Sequence, residues 1–435
     1  MKKPWSPFAI VLLASIAPAQ RKTDYVADVK FAIDAIETQC KTLLGSKKID
    51  WKKATAPLVA EARKTKTDEA HLLLLWRLLA RLQDGHAEVR PLDAGKNVKV
   101  DLPERTSGPG LFLCRVQQAV FVKNVWGPAA EAGLTPGLEV VTIDGLAADA
   151  WLQRRTAELA DLISFSTAQQ AAFYSCHWGL SDVAGTRLEL EVKAGSGKKK
   201  RTITYAKCNQ TAQGPAYPPP DLKGSKDVFY GSTAKGFGYV HVRRCKDDLP
   251  AQMDEALAAI GDVPGLILDF RGNSGGGFDH EGLFGRFLPS GTKWQVGDDY
   301  ASAGAHPYGG PIVVIVDATV RSAGETAAGM FSEDGRAYMI GESATAGMAS
   351  QKTDIELPSK LFKLHVSVAS NKARFQGGKG IEGVGVVPHE FVVFDPKDLE
   401  AKRDTLIARA EALLKEFPQG KVRYDPAKAG WPRRK

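Results

Sequence analysis

Gly265-Leu-Ile-Leu-Asp-Phe-Arg-Gly-Asn-Ser-Gly-Gly-Gly277 and Ile312-Val-Val-Ile-Val-Asp-Ala-Thr-Val-Arg-Ser-Ala-Gly-Glu325 are two apolar runs of strand length, each opening into a turn. Runs this apolar, rich in Ile, Leu and Val, belong to strands covered on both faces. The first runs into glycines, the second into a short loop and then a helix-like segment. Around them strand-like and helix-like stretches alternate: Phe237 to Val242, a helix Ala251 to Ile260, a helix near Glu281 to Phe287, and a helix from about Ala323. That alternation predicts an α/β domain.

Upstream, Asn209 to Lys226 carries Pro215, Pro218, Pro219 and Pro220 with Gly214 and Gly224, which sustain neither a helix nor a ladder. It reads as a linker, 208–227. Before it, residues 97–207 hold short strand-like runs (Val120 to Val125, Glu139 to Ile143, Arg187 to Val192, Arg201 to Tyr205) separated by turns, the pattern of a small β-rich module. A longer insertion, Arg154 to Leu180, reads as a lid or as packing. Residues 24–90 form a helical segment whose apolar spacing is clearest from Glu69 to Leu82; Gly85 ends it and leaves His86 on the following loop. The core spans 228–417 and a polar tail 418–435.

Composition narrows the function. The chain has 435 residues, 43% apolar and 25% charged, and so is globular. Lys2 and Lys3, the apolar run Phe8 to Ile16 and Ala17-Pro18-Ala19 read as an export signal, 1–19, which places the protein in the periplasm or outside the cell. The run is shorter than the roughly 20 residues of a spanning helix, so no membrane span is expected once the signal is removed. A formal net charge of +8 includes those two lysines and is too mild for a nucleic-acid binder. Lys198-Lys-Lys-Arg201 beside Gly195 and Gly197 reads as a solvated hairpin turn. Five cysteines show no metal spacing, and their pairing is unreadable. Neither a metal nor a cofactor is expected.

Ser322 stands at a strand-to-helix turn, where a helix N-terminus favours developing negative charge. Ser322 and Glu325 also make an S-x-x-E capping box, so a purely structural serine is the competing reading. The glycine turn weighs toward chemistry, because bare N–H groups there can approach a reacting carbonyl. A phosphate cradle fails, since no Lys-Ser/Thr follows. The oxyanion donors expected are the N–H groups of Gly275 or Gly276 and of Ala323. Asp269, Arg271 and Asn273 read as holding the turn.

Gly127-Pro-Ala-Ala-Glu-Ala-Gly-Leu-Thr-Pro-Gly137 followed by Leu138-Glu-Val-Val-Thr-Ile-Asp-Gly145 resembles the signature of PDZ domains in bacterial proteases. Such modules bind a peptide as an added strand. By this resemblance, the loop Ser107 to Gly110, with Gly110 and Leu111, offers N–H groups to a C-terminal carboxylate; a plain Gly/Pro turn is the alternative.

Asp269-x-Arg271-x-Asn273-x-Gly275-Gly276, Ser322-Ala-Gly-Glu325 and Ile381-Glu-Gly-Val-Gly-Val-Val-Pro388, in that order, resemble the tail-specific, or C-terminal-processing, serine peptidases, which include the tricorn core protease. The resemblance covers about residues 70–415. It implies a crotonase-like or ClpP-like α/β core, an acyl-enzyme on Ser322, and polypeptide substrates, either unfolded or as C-terminal segments. Many members pair the serine with a lysine where this chain has Met348, and a thioether accepts no proton near neutral pH. Lys352 is the alternative base. The tricorn-like branch uses a histidine in the segment that His86 matches, with an acidic partner near the position of Glu382; His280 is a weaker rival to His86. A non-catalytic, peptide-binding relative is the other function open to the sequence.

Overall fold

The computed structural model describes residues 24–100, 105–211, 214–224, 227–296, 298–348, 350–370, 375, 378 and 380–417. The expected export segment 1–19 and the tail 418–435 lie outside the described residues.

The two quoted runs become adjacent parallel strands, Leu266–Asp269 and Ile312–Val316, with Leu266 opposite Ile312 and Asp269 opposite Ile315. They sit in the middle of a seven-stranded sheet. Tyr338–Gly341 and Glu390–Phe391 extend it in parallel on one side; Gly238–Val242, then antiparallel Val228–Ser232 and Lys223–Gly224, extend it on the other. Successive side chains point to opposite faces of a strand, so both faces need cover. Leu266, Leu268, Ile312, Val314 and Val316 pack with the helices Leu249–Ile260, His280–Gly285 and Ala323–Glu333. Tyr239, Ile267, Val313 and Ile315 face the other way, onto Leu406, Ala410, Leu413 and Leu414 of the helix Thr405–Glu416.

Arg271, just past the strand Leu266–Asp269, ties that sheet end to this last helix. Its Nη1 donates to both Asp404 oxygens at 2.9 and 3.1 Å, and its Nε and Nη2 reach Asp269. Asp404 in turn caps the helix by accepting from the N–H of Leu406 and Ile407. All three groups are buried, so each charge depends on the others.

A second sheet, in the order Leu111–Val116, Ala119–Val125, Glu139–Ile143, Arg187–Ala194 and Gly197–Thr204, forms the β-rich module. The helices Ala148–Ala160 and Ala168–Cys176 occupy the long insertion and pack beside it. The basic run Lys198 to Arg201 lies on an outer strand, with its hairpin turn at Gly195 and Ser196. Lys198 reaches Glu191 across the ladder, which makes the run a solvated strand face and not a turn.

The helices Tyr25–Gln39, Lys41–Ser46, Trp51–Ala62 and Asp68–Leu82 do not close a core by themselves. Ile355, Leu357, Leu364 and Val366, from the hairpin Ser350–Glu356 and Phe362–Ser370, pack into them, and Glu88–Pro91 adds a third strand. The hairpin therefore leaves the residues around it in sequence and joins the N-terminal helices. Its alternating apolar residues have a dry partner there. Among the described residues no helix is long and apolar enough to cross a membrane.

Replacing Arg271 with Met leaves two buried carboxylates without a counter-charge. A loss of about 3–5 kcal/mol in urea unfolding is expected, and a change under 1 kcal/mol would show that the cluster does not hold the helix to the sheet.

Candidate active site

The site lies at the carboxyl ends of the two central strands, where open parallel sheets leave a crevice. From Val316 the chain runs through Asp317 to Arg321 and reaches Ser322 with φ at +57°, a conformation that costs a residue with a Cβ and needs support. The support is Glu325. Ser322 and Glu325 stand as a capping box, yet the hydroxyl makes no cap hydrogen bond; the closed half is Glu325 Oε2 accepting from the Ser322 N–H at 3.1 Å. Glu325 also accepts from Thr345 Oγ1 at 2.5 Å and from the N–H of Gly347 and Met348 at 2.7 Å each. One buried carboxylate thus joins the serine turn to the loop 345–348. Burial pushes its pKa up to about 8, against the hydrogen bonds from Thr345, Gly347 and Met348.

The glycine turn packs directly on the serine. A Cβ on Gly275 would stand 2.7 Å from Ser322 Cβ, so only glycine fits. Asn273 holds this turn: its Oδ1 accepts from the Gly275 N–H at 2.8 Å, its Nδ2 donates to the Val242 carbonyl, and its own carbonyl accepts from the Arg321 N–H. The Gly275 N–H is therefore already engaged, which removes it from the expected oxyanion donors. Gly276 is exposed, and among the described residues neither its N–H nor that of Ala323 has a protein acceptor.

Asp84-Gly85-His86 arrives from the N-terminal helices. Asp84 accepts from the His86 N–H at 3.0 Å and from the N–H and hydroxyl of Ser367 at 2.6 and 2.8 Å, which fixes the loop to the hairpin. Gly85 lies against Met348, where a Cβ would meet the thioether at 2.7 Å. The loop carrying His86 thus abuts the loop that Glu325 ties to Ser322. Met348, at the position where many members of the resembled family carry a lysine, is buried and accepts from Gln170 Nε2 at 2.8 Å.

A ring nitrogen of His86 and one carboxylate oxygen each of Asp84 and Glu382 lie within 4.8 Å of one another. Both oxygens of Asp84 are engaged, and Lys47 Nζ sits 2.8 Å from Glu382 Oε1, so the donor set suits a charge relay better than a cation. Among the described residues, Nδ1 of His86 and Oε2 of Glu382 are each buried without a hydrogen-bond partner. No hydrogen bond joins Ser322 to His86 in this structure. Burial, with Lys352 next and against the pull of Asp84, lowers His86 to about 4, so its ring is neutral at neutral pH. Glu382 is raised, by burial first and by Asp84, against Lys47.

Lys352 lies on the strand Ser350–Glu356 with an exposed side chain and no hydrogen bond to Ser322. His280 is exposed at the start of its helix and stacks on Phe278 at 4.1 Å. Neither is brought to the serine as closely tied as the His86 loop. The carboxylate loop of the β-rich module is also not open: Gln210 Oε1 accepts from the Gly110 N–H at 2.8 Å, and its Nε2 donates to the Leu111 carbonyl at 3.0 Å. The chain's own amide occupies the Gly110 N–H assigned to a peptide terminus, a correction for that donor.

Two features escaped the sequence reading. Lys47 and the insertion residues Ser166, Thr167, Gln169 and Gln170 all reach the site, across large separations that no local spacing marks. The β-rich module is also wired to the Ser322 loop. Buried Lys123 pairs with Glu342 at 3.2 Å; burial opposes its charge, but Glu342 and Asp317 hold the ammonium above its usual range. Burial pushes Asp317, at the root of the Ser322 loop, up to about 6. Glu342 also lines a 160 Å³ pocket with Leu113, Arg115, Phe173 and His177, between the edge strand Leu111–Val116 and the helix Ala168–Cys176.

Residues 236–392 match the model of peptidase family S41. The chain is 25% identical over 319 residues to carboxyl-terminal-processing peptidase 2, chloroplastic, of Arabidopsis thaliana, covering 71% of this chain and 55% of that one. It is 23% identical over 348 residues to a carboxyl-terminal-processing protease of Picosynechococcus sp., covering 77% and 76%. The chain thus spans about half the length of the Arabidopsis relative. Among solved structures, mature CPAF complexed with lactacystin shares the fold with a TM-score of 0.61 at 13% identity, over 90% of this chain and 98% of that chain.

Glu325→Gln places an NH2 group against N–H donors and should cost about 1–3 kcal/mol. The wild-type carboxyl binds its proton more tightly when folded, so its contribution is full below pH 4.5 and is lost as pH rises toward 8. The stability gap between wild type and Glu325→Gln, followed by thermal melts from pH 4 to 9, is expected to narrow across that window; a constant gap would contradict the raised carboxyl.

Proposed function

We propose that this chain, whose residues 236–392 match the model of peptidase family S41, is an exported serine endopeptidase that cleaves unfolded polypeptides or their C-terminal segments through an acyl-enzyme on Ser322. His86 is its base and Glu382 the partner of that base. The observation that carries this reading is the convergence of three separate segments: the Ser322 turn and the His86 loop meet at Met348, and the Glu382 oxygen meets His86 within 4.8 Å.

In the reaction, Ser322 Oγ attacks the scissile carbonyl carbon while its proton passes to the His86 ring. The carbonyl oxygen, now an anion, takes the N–H groups of Gly276 and Ala323 at the N-terminus of the helix Ala323–Glu333. His86 returns the proton to the departing amine as the C–N bond breaks. His86 then deprotonates a water molecule whose oxygen attacks the acyl carbon, and as the bond to Ser322 Oγ breaks His86 returns that proton to Oγ. The imidazolium formed in each half is met by Glu382, whose unpartnered Oε2 complements the unpartnered Nδ1.

The β-rich module is read as PDZ-like, and the core as crotonase-like or ClpP-like. The pocket between the edge strand and the helix Ala168–Cys176 suits a substrate segment added alongside Leu111–Val116. Since Gln210 fills the carboxylate loop, that segment enters by its side chains and its strand edge, not by a free C-terminus.

With Ser322→Ala, cleavage of an unfolded protein substrate should fall by at least about 1000-fold; unchanged cleavage would overturn the assignment. The acid limb of kcat/KM should lie below the ordinary imidazole value of 6.5, because the base must be neutral and burial holds His86 neutral to lower pH. A limb at or above that value would contradict a buried His86 as base.

A further inference from the structure

The fold treats the two carboxylate oxygens of Glu382 differently. Oε1 accepts from Lys47 Nζ at 2.8 Å and from Ser166 Oγ at 3.1 Å, while Oε2 is buried with no partner. Neither donor comes from the core that carries Glu382. Lys47 follows the helix Lys41–Ser46, and Ser166 lies in the insertion of the β-rich module.

Each donor also grips the segment that carries His86. Lys47 Nζ donates to the Gln83 carbonyl, and Ser166 Oγ accepts from the Gly85 N–H at 2.8 Å. Two side chains therefore make parallel bridges, from positions three and one residue before His86 to one oxygen of Glu382. Ser164 adds a third hold on the same segment by accepting from the Asp84 N–H at 2.8 Å. Ser166 and Lys47 are both shielded from water, so these bonds are not in competition with solvent.

We infer that Lys47 and Ser166 are positioning residues for the Glu382–His86 pair: by fixing Oε1 to the His86 loop, they reserve Oε2 for the imidazole. The inference rests on the proposed roles of Ser322, His86 and Glu382. Lys47 has a second, electrostatic effect, since its ammonium opposes burial and Asp84 and so favours ionised Glu382. The titratable groups that act on the pair are Lys47, Asp84, Lys352, His365 and Arg321, and Glu325 in turn senses Glu382. Loss of Lys47 removes the cation bonded to Glu382, so the carboxyl holds its proton to higher pH and the acid limb moves up. Ser166 carries no charge, and its loss loosens the geometry without moving the limb as far.

The test uses the full chain and a fluorogenic unfolded-protein substrate, with kcat and KM measured from pH 4 to 9 for wild type, Lys47→Gln, Lys47→Arg, Ser166→Ala and Ser166→Thr. Lys47→Gln and Ser166→Ala should lower kcat by on the order of 10- to 100-fold with KM changed by less than about threefold, the mark of a misplaced catalytic group. Lys47→Gln should also shift the acid limb upward by about one pH unit, and Lys47→Arg and Ser166→Thr should recover most of each loss. If Lys47→Gln fails to fold, Ser166→Ala and its Thr rescue carry the test. Folded variants with unchanged kcat and an unmoved limb, or an Arg variant as impaired as the Gln one, would overturn the inference. Ser322→Ala in the same assay separates the two levels: if it retains cleavage, the catalytic reading fails and the inference with it.

Discussion

The buried carboxyl group of Glu325 is the constraint on which the site depends. It closes the turn that forces Ser322 to positive φ, and it accepts from the loop 345–348 against which the His86 loop packs. Without that anchor the serine turn and the histidine loop have no common reference. A capping glutamate is usually a helix-end device of about 1 kcal/mol; here the same group also spans two loops, because it is fully buried and all its acceptor capacity is taken by protein donors.

The site is assembled from three parts of the chain that each bring something the others lack. The α/β core supplies the strained serine, the bare glycine turn and Glu382. The N-terminal helices, closed by the hairpin 350–370, supply His86 and Lys47. The β-rich module supplies the strap from Ser164 to Gln170, whose hydroxyl and amide groups touch the loops at 84–85, 345–348 and 382–384. An event in the module's pocket is therefore in physical contact with the loops of the candidate site through the strap, and through Lys123, Glu342 and Asp317 below the serine turn.

The sequence made the central strands legible because their apolar runs are long and bounded by unmistakable turns, and it marked Ser322, Glu325 and the glycine turn because each obeys a local rule. What it hid were relations across distance. Lys47 reads as one of many surface lysines until Glu382, 335 positions away, is beside it. The hairpin 350–370 has ordinary strand alternation, and nothing local says that its apolar face belongs to the N-terminal helices. Gln210 looks like a linker residue, yet its amide fills the loop at Gly110 and Leu111. The glycine turn makes Gly275 look like a free donor, whereas its N–H is held by Asn273 two residues earlier. Met348 is the instructive case: the missing lysine is replaced by a packing contact with Gly85, which brings the histidine loop against the serine loop.

The most direct test of His86 as the base of Ser322 is the rate at which a fluorophosphonate labels Ser322, mapped by mass spectrometry, in His86→Ala and in Lys352→Ala. Labelling should slow by at least about 100-fold without His86 and by less than about threefold without Lys352. Fast labelling in His86→Ala, with slow labelling in Lys352→Ala, would contradict the account.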